Sequence, residues 1–329
     1  MNVEQWFNKN KFKASSFSDI KRLVQLKKKQ KLTISLCIPT LNEAATIGHV
    51  ITTLKAKLMD ENPLLDEIAV IDSGSTDSTL KIAKNHGADV YLASDILKRQ
   101  GNYKGKGENL WKALYALKGD IICWVDADIK NIHPRFVYGL IGPLLTHKKV
   151  KFVKPFYRRP IKMGGKIQPL GGGRVTELTI RPLFNLFFPR LSGFIQPLSG
   201  EAAARRTVLE KIPFFTGYGV ETGHLIDLVK KYGLNSLAQV DLEERVHRNQ
   251  SLASLSNMAF AIMQVLSKRA NTLGKLVLIK GIRRKYRVIQ IEDEQYVIKD
   301  KQISDVQRPP IITVSDYRRK FKKDPIWLR

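Results

Sequence analysis

Strand-like and helix-like runs alternate from about residue 33 to residue 158, and this rhythm constrains the fold more than any other feature. "LTISLCIP", "EIAVID", "ADVYLAS", "DIICWVD" and "VKFVKPFYRR" read as strands. Between them, "TIGHVITTLKAKLMD" (with Thr46 as N-cap), "STLKIAKNHG", "GENLWKALYAL" and "PRFVYGLIGPLLTH" carry helical spacing. Strands alternating with helices predict an α/β fold, Rossmann-like, with a mostly parallel sheet and helices on both faces. Ligands of such sheets bind beyond the carboxyl ends of the strands. "PTLNE", "DSGSTD" and "DADI" all fall at such ends.

After residue 160 the rhythm changes. A glycine-rich loop (164–173) leads into helices, "SLAQVDLEERVHRNQ" is strand-like, and "SLASLSNMAFAIMQVLSKRANTLGK" is a long helix. "KYRVIQIEDEQYVIKD" predicts a hairpin turning near Glu292–Glu294. The expected organisation is a basic N-terminal extension (1–32), an α/β half (33–150) and a C-terminal region with helices and a β-hairpin (151–329). Both ends of the chain are expected to dock only in part.

In "IICWVDADI" (121–129) an apolar run ends in Asp126 and Asp128. If the strand continues, the two carboxylates share a face. Carboxylates so close repel one another unless a cation neutralises them, and a divalent ion with oxygen ligands is the natural choice. For an isolated D-x-D, solvated aspartates in a loop remain the commoner outcome, so other residues decide.

Several do. In "YKGKGENL", Gly105 and Gly107 flank Lys106, a pattern that suits a phosphate or merely a flexible loop; the P-loop spacing is absent. "PLGGGRVTELTI" sets three glycines before Arg174, Thr176 and a helical run, a combination suited to a small phosphorylated or carboxylated molecule. "FFTGYGVETG" puts Glu221 just inside a helix. "VDLEERVHRNQ" puts Arg245, His247 and Asn249 on one face if extended, where His247 either completes a metal site begun by Asp128 or is a lone surface histidine.

The charge is unusual: 56 Lys and Arg against 30 Asp and Glu give +26. Such a field attracts anions and says nothing about fold. No aromatic-interleaved RNA motif accompanies the basic clusters at 25–31, 280–287 and 316–324. Cys37 and Cys123 lie in strand-like runs and read as buried thiols. The start of the chain has no apolar core of a signal peptide, and the most apolar stretch (178–198) is broken by prolines and arginines. A cytoplasmic chain with no membrane span is therefore expected.

From about residue 33 to 310 these motifs, in this order, resemble the glucosyl-3-phosphoglycerate synthases, retaining glycosyltransferases of GT-A fold. "PTLNE" and "DSGSTD" are shared by many GT-A enzymes; "GGGRVTEL", "QPLSGEAAARR", "FFTGYGVETG" and "VDLEERVHRNQ" are far more specific. The family more often shows Asp-Ser-Asp where this chain has Asp126-Ala127-Asp128, a change that leaves the carboxylates in place. The resemblance implies that Pro39, Thr40, Leu41, Glu43, Ser73, Lys106 and Asp126 hold the nucleotide sugar, with Leu198 in the sugar pocket. It implies Asp128 and His247 as ligands of Mg²⁺ or Mn²⁺, and Glu221 beside the donor glucose. These three form the catalytic set. Gly173, Arg174, Val175, Thr176 and Asn249 would hold the acceptor, and Arg245 is grouped with them. The implied reaction moves glucose from UDP-glucose (or GDP-glucose) to the 2-hydroxyl of 3-phosphoglycerate, in a homodimer that needs neither nucleic acid nor membrane. Two other readings stay open: an inverting GT-A transferase with a lipid-phosphate acceptor, and a non-enzymatic polyanion- or RNA-binding protein.

Overall fold

A computed structural model describes residues 2–159, 161–163, 166–168, 173–246, 250–303 and 305–323. Its strands are β1 (Lys11–Lys13), β2 (Ile34–Thr40), β3 (Glu67–Asp72), β4 (Asp89–Leu92), β5 (Ile121–Trp124), β6 (Phe152–Arg158), β7 (Ile161–Met163) and β8 (Lys166–Gln168). They continue with β9 (Ala202–Arg205), β10 (Phe214–Phe215), β11 (Leu237–Glu244), β12 (Lys285–Glu292), β13 (Gln295–Gln302) and β14 (Gln307–Arg308). The helices are α1 (Val3–Lys9), α2 (Ile20–Lys29), α3 (Ile47–Lys55), α4 (Thr79–Asn85), α5 (Lys106–Ala116) and α6 (Arg135–Thr146). After them come α7 (Arg181–Phe187), α8 (Arg206–Leu209), α9 (Val220–Tyr232), α10 (Leu252–Thr272) and α11 (Ser315–Lys320).

Eight strands form one sheet in the order β1-β11-β6-β9-β5-β2-β3-β4. All run the same way except β9, which lies antiparallel between β5 and β6. The central strands are apolar on both sides because both faces are covered. On β2, Cys37 packs into one core layer while Leu36 and Ile38 pack into the other. On β5, Ile122 and Trp124 face the first layer and Ile121 and Cys123 the second. Both cysteines are buried free thiols, as expected. The carboxyl ends of β2, β3, β5, β6 and β11 share one edge of the sheet, and β9 begins there.

The expected strands and helices between 33 and 158 are all present, and the hairpin turns at Asp293–Glu294, both at positive φ. Thr46 precedes α3 but gives it no side-chain cap. The loosely docked N-terminus is a correction. Trp6 is fully buried and its indole donates to Leu237 O at 2.9 Å, while β1 adds a parallel edge strand to β11. Three residues of "KFK" carry no readable strand period, so only the finished sheet reveals the partner. The C-terminal segment is docked too: Tyr317 is fully buried and bonds Glu210 at 2.9 Å.

Candidate active site

The cavity at that edge, about 220 Å³, is lined by strand ends and helix starts. β5 contributes Asp126 and Asp128 just beyond its end. The strand stops at Trp124, so the extended run does not reach the aspartates. They still face one side, because one nitrogen, Arg245 Nη2, donates to Asp126 Oδ2 at 3.0 Å and to Asp128 Oδ1 at 2.7 Å.

Lys106 opens α5. Gly105 and Gly107 are needed there, though for another reason than the motif suggested. A Cβ on either would strike the backbone of Thr216 or Phe215, so the close approach is to protein rather than to a ligand. Lys106 Nζ bonds Asp126 and donates to Gly200 O at 2.8 Å; Glu221 Oε1 lies 3.9 Å away. Glu221 sits in the first turn of α9, where a carboxylate suits the helix dipole. Its pKa is pushed up by burial, against the pull of Lys106 and Lys154. Burial works against the Lys106 ammonium, but Asp126, Glu221 and Glu201 outweigh it and hold the pKa above its usual range. Asp126, although buried, is held low by Lys106 and Arg245. Asp128 is pushed up, first by burial and then by Asp126, with Arg245 opposing.

Across the cavity, Gly173 (φ +88°) turns the chain into a helical segment starting at Arg174, and Glu177 N bonds Gly173 O at 3.1 Å. Arg174 is exposed and donates to Gln250 O at 3.2 Å; Val175 and Thr176 are buried behind it. Leu198 and Gly200 line the floor. Thus Lys106, Asp126, Asp128, Gly173, Arg174, Val175, Thr176, Leu198, Glu221 and Arg245 share one cavity.

Pro39, Thr40, Leu41, Glu43 and Ser73 lie outside it, around the ends of β2 and β3. Thr40 Oγ1 donates to Asp72 Oδ2 at 2.6 Å, and Ser73 Oγ donates to Asn109 at 3.1 Å. Leu41 is exposed. The Glu43 carboxyl is raised to about 7 by burial, then by the charges of Asp128 and Asp126. His247 and Asn249 lie outside the described residues. The Arg245 guanidinium is buried against the aspartate pair, in the cavity that the Gly173–Thr176 segment also lines.

Residues that the sequence reading did not single out complete the site. Lys154 on β6 is buried and donates to Ser199 O. A lysine inside the apolar run "VKFVKPF" was the available signal. Asp72 accepts from Gly74 N at 2.8 Å and Ser75 N at 2.7 Å, shaping the turn after β3. Glu201 and Tyr157 are buried beneath Arg245.

Among the described residues no three His, Cys, Asp or Glu side chains form a metal-ligand group. The donor chemistry still fits a hard divalent cation. Asp128 is partly exposed, and among the described residues its Oδ2 has no hydrogen-bond partner.

A mostly parallel sheet with paired carboxylates and a lysine at its ligand-binding edge is the GT-A layout of a nucleotide-sugar transferase. The chain belongs to glycosyl transferase family 2, whose model matches residues 35–212. It is similar to the glucosyl-3-phosphoglycerate synthase of Petrotoga mobilis (strain DSM 10674 / SJ95), 57% identical over 316 residues, 96% of this chain and 97% of the relative. The crystal structure of mannosyl-3-phosphoglycerate synthase from Rubrobacter xylanophilus matches with a TM-score of 0.86 at 38% identity, covering 94% of this chain and 97% of that one. Glucosyl-3-phosphoglycerate synthase from Mycobacterium tuberculosis, in complex with Mn²⁺, UDP and phosphoglyceric acid, matches with a TM-score of 0.77 at 40% identity, covering 89% and 94%.

Proposed function

We propose that the protein transfers glucose from UDP-glucose to the 2-hydroxyl of 3-phosphoglycerate with retention at the anomeric carbon. The observation that carries this reading is the single cavity joining the aspartate pair, Lys106 and Glu221 to the Gly173–Thr176 turn. Asp128, through Oδ2, and His247 would hold Mg²⁺ or Mn²⁺. When bound, the cation neutralises the donor diphosphate as the leaving group gains charge. Lys106 adds a fixed positive charge on the same side. Glu221, anchored by Lys106, receives the glucose hydroxyls above the Leu198–Gly200 floor. Arg174 offers a permanently charged fork to the acceptor phosphate or carboxylate. The acceptor hydroxyl attacks from the leaving-group side, and a donor phosphate oxygen takes its proton. Positioning supplies much of the acceleration.

Pro39, Thr40, Leu41, Glu43 and Ser73 are assigned to the nucleotide by their place at the ends of β2 and β3. A homodimer belongs to the same proposal. Ile289, Ile291, Tyr296 and Ile298 lie on one face of the β12–β13 ribbon, each at least 65% exposed. A second copy would cover that face. No helix among the described residues is long and apolar enough to cross a membrane. A cytoplasmic setting is proposed because both substrates are multiply charged and do not cross a bilayer unaided.

The test is a transfer panel with UDP-glucose, GDP-glucose and GDP-mannose against 3-phosphoglycerate, glycerate and a lipid phosphate, with and without EDTA. Product NMR reads the anomeric configuration. An α-glucosyl product from 3-phosphoglycerate, lost in EDTA, is expected. An inverted product, preference for the lipid acceptor, or salt-dependent RNA binding without transfer would overturn the reading.

A further inference from the structure

Arg245 has more donors than the aspartate pair uses, and Tyr157 and Glu201 lie against the remaining side of its guanidinium. Nη2 is divided between Asp126 and Asp128. Nη1 donates to Tyr157 Oη at 3.3 Å, while Nε lies 3.2 Å from Glu201 Oε1 as an ion pair without a hydrogen bond between them. Tyr157 Oη in turn donates to Glu201 Oε2 at 2.8 Å and accepts from Arg159 Nη2 at 2.9 Å. Arg245, Glu201 and Tyr157 are all more than nine-tenths buried, at 5%, 0% and 3% exposure. Three strands supply them: Tyr157 from the end of β6, Glu201 from the residue before β9, Arg245 from just past β11.

A free guanidinium beside a carboxylate closes on both oxygens, since the bidentate fork is its strongest geometry. Here Tyr157 bonds Nη1 and the Glu201 carboxylate lies against Nε as a counter-charge, so only Nη2 reaches the pair. Asp128 therefore keeps one oxygen on Arg245 and presents the other to the cavity. Asp126 has Lys106 as a second cation, whereas among the described residues Arg245 is the only salt-bridge partner of Asp128.

We propose that Glu201 and Tyr157 are positioning residues of the transfer reaction: Tyr157 by bonding Nη1 of Arg245 and Glu201 by setting a counter-charge against its Nε side keep it from chelating Asp128 and reserve Asp128 Oδ2 for the divalent cation. The inference rests on the metal-dependent reading above. Neither residue touches substrate; both act through Arg245.

The experiment measures Mn²⁺ binding directly, from the EPR signal of free Mn²⁺, with full-length protein and saturating UDP. Glu201→Asp, which keeps the charge but retracts it by one methylene, is expected to raise the Mn²⁺ Kd by about 10- to 100-fold, the usual effect of removing an orienting partner of a metal ligand. Tyr157→Phe should raise it in the same direction and lower Tm modestly through the lost buried hydroxyl, while the KM for 3-phosphoglycerate stays near wild type. Glu201→Gln leaves a buried guanidinium short of a counter-charge and can fail to fold; the other two variants then decide. Wild-type Mn²⁺ affinity in both Glu201→Asp and Tyr157→Phe would overturn the positioning role. Failure of the wild type itself to bind Mn²⁺ with UDP would overturn the metal-dependent reading, and this inference with it.

Discussion

Gly200→Ala tests the site through a single methyl group. Gly200 is not among the residues at positive φ, so alanine meets no backbone strain there. The obstacle is spatial: a Cβ would overlap Asp126 Oδ2 and Lys106 Nζ. Neither neighbour is a free end. Asp126 is tied to Arg245 at 3.0 Å, and Lys106 donates to Gly200 O at 2.8 Å. Relief requires the ion pair to move by roughly 1 Å, and a displacement of that size at a reacting centre costs about 100-fold in rate. Overpacking of this kind costs about 1–3 kcal/mol of stability, or a Tm drop of roughly 2–4 °C per kcal/mol for a domain of this order of size. Steady-state kinetics with both substrates should show kcat/KM for the donor falling about 100-fold, with a smaller change in the acceptor KM. Gly233→Ala is the control. It has φ +77° and no atom within 4 Å of a Cβ, so strain alone should lower Tm and leave turnover intact. Wild-type donor kinetics in Gly200→Ala would show that Asp126 and Lys106 need not hold their positions, and the account of the donor site would fail.

Asp128→Ala should abolish most transfer with little change in Tm, read by activity and thermal unfolding in parallel. Arg174→Ala should raise the KM for 3-phosphoglycerate by the loss of about 2–3 kcal/mol of charge-assisted contact while sparing the donor KM; equal use of glycerate and 3-phosphoglycerate by the wild type would refute the anchor. Asp305, which accepts from Gly219 N at 2.6 Å, is raised by burial from 3.8 to about 6. The folded state then holds its proton more tightly than the unfolded state. Its contribution is complete below about pH 4 and is lost as pH rises through 6. The wild-type stability minus that of Asp305→Asn, measured by urea unfolding, should therefore fall between pH 4 and 6; a flat difference would refute the assignment. For the proposed dimer, Ile298→Asp should lower the light-scattering mass to that of a monomer; a dimer that persists would place the interface elsewhere.

The alternation of strands and helices was legible because apolar runs of strand length are bounded by glycine, proline and polar turns. Asp126, Asp128, Lys106 and Glu221 were legible because each sits where a strand ends or a helix begins. What escaped the reading is long-range pairing. Glu201 in "LSGEAAA" looks like a turn residue, and Tyr157 in "VKPFYRR" looks like ordinary strand surface. Their partner Arg245 lies 44 and 88 residues away in sequence, and only the sheet brings the three together. β9 was missed for a different reason: "AAAR" has little strand propensity, and it is held in the sheet by β5 and β6 on either side. Alternation along β11 tells which face Arg245 takes, not that the aspartate pair is folded against it.

The edge strand β1 bears on how the protein is made. Trp6 and β1 are synthesised more than 200 residues before Leu237–Glu244, the segment they pair with. While the chain emerges from the ribosome, a buried tryptophan and an open strand edge wait without their partner, and the intervening units β2 to β6 can assemble first. Closing that edge is a late, high-contact-order event. A vectorially growing chain therefore completes its sheet from the far end of the sequence back to the near one, and any pause before residue 244 prolongs the interval in which β1 is free to pair with another molecule.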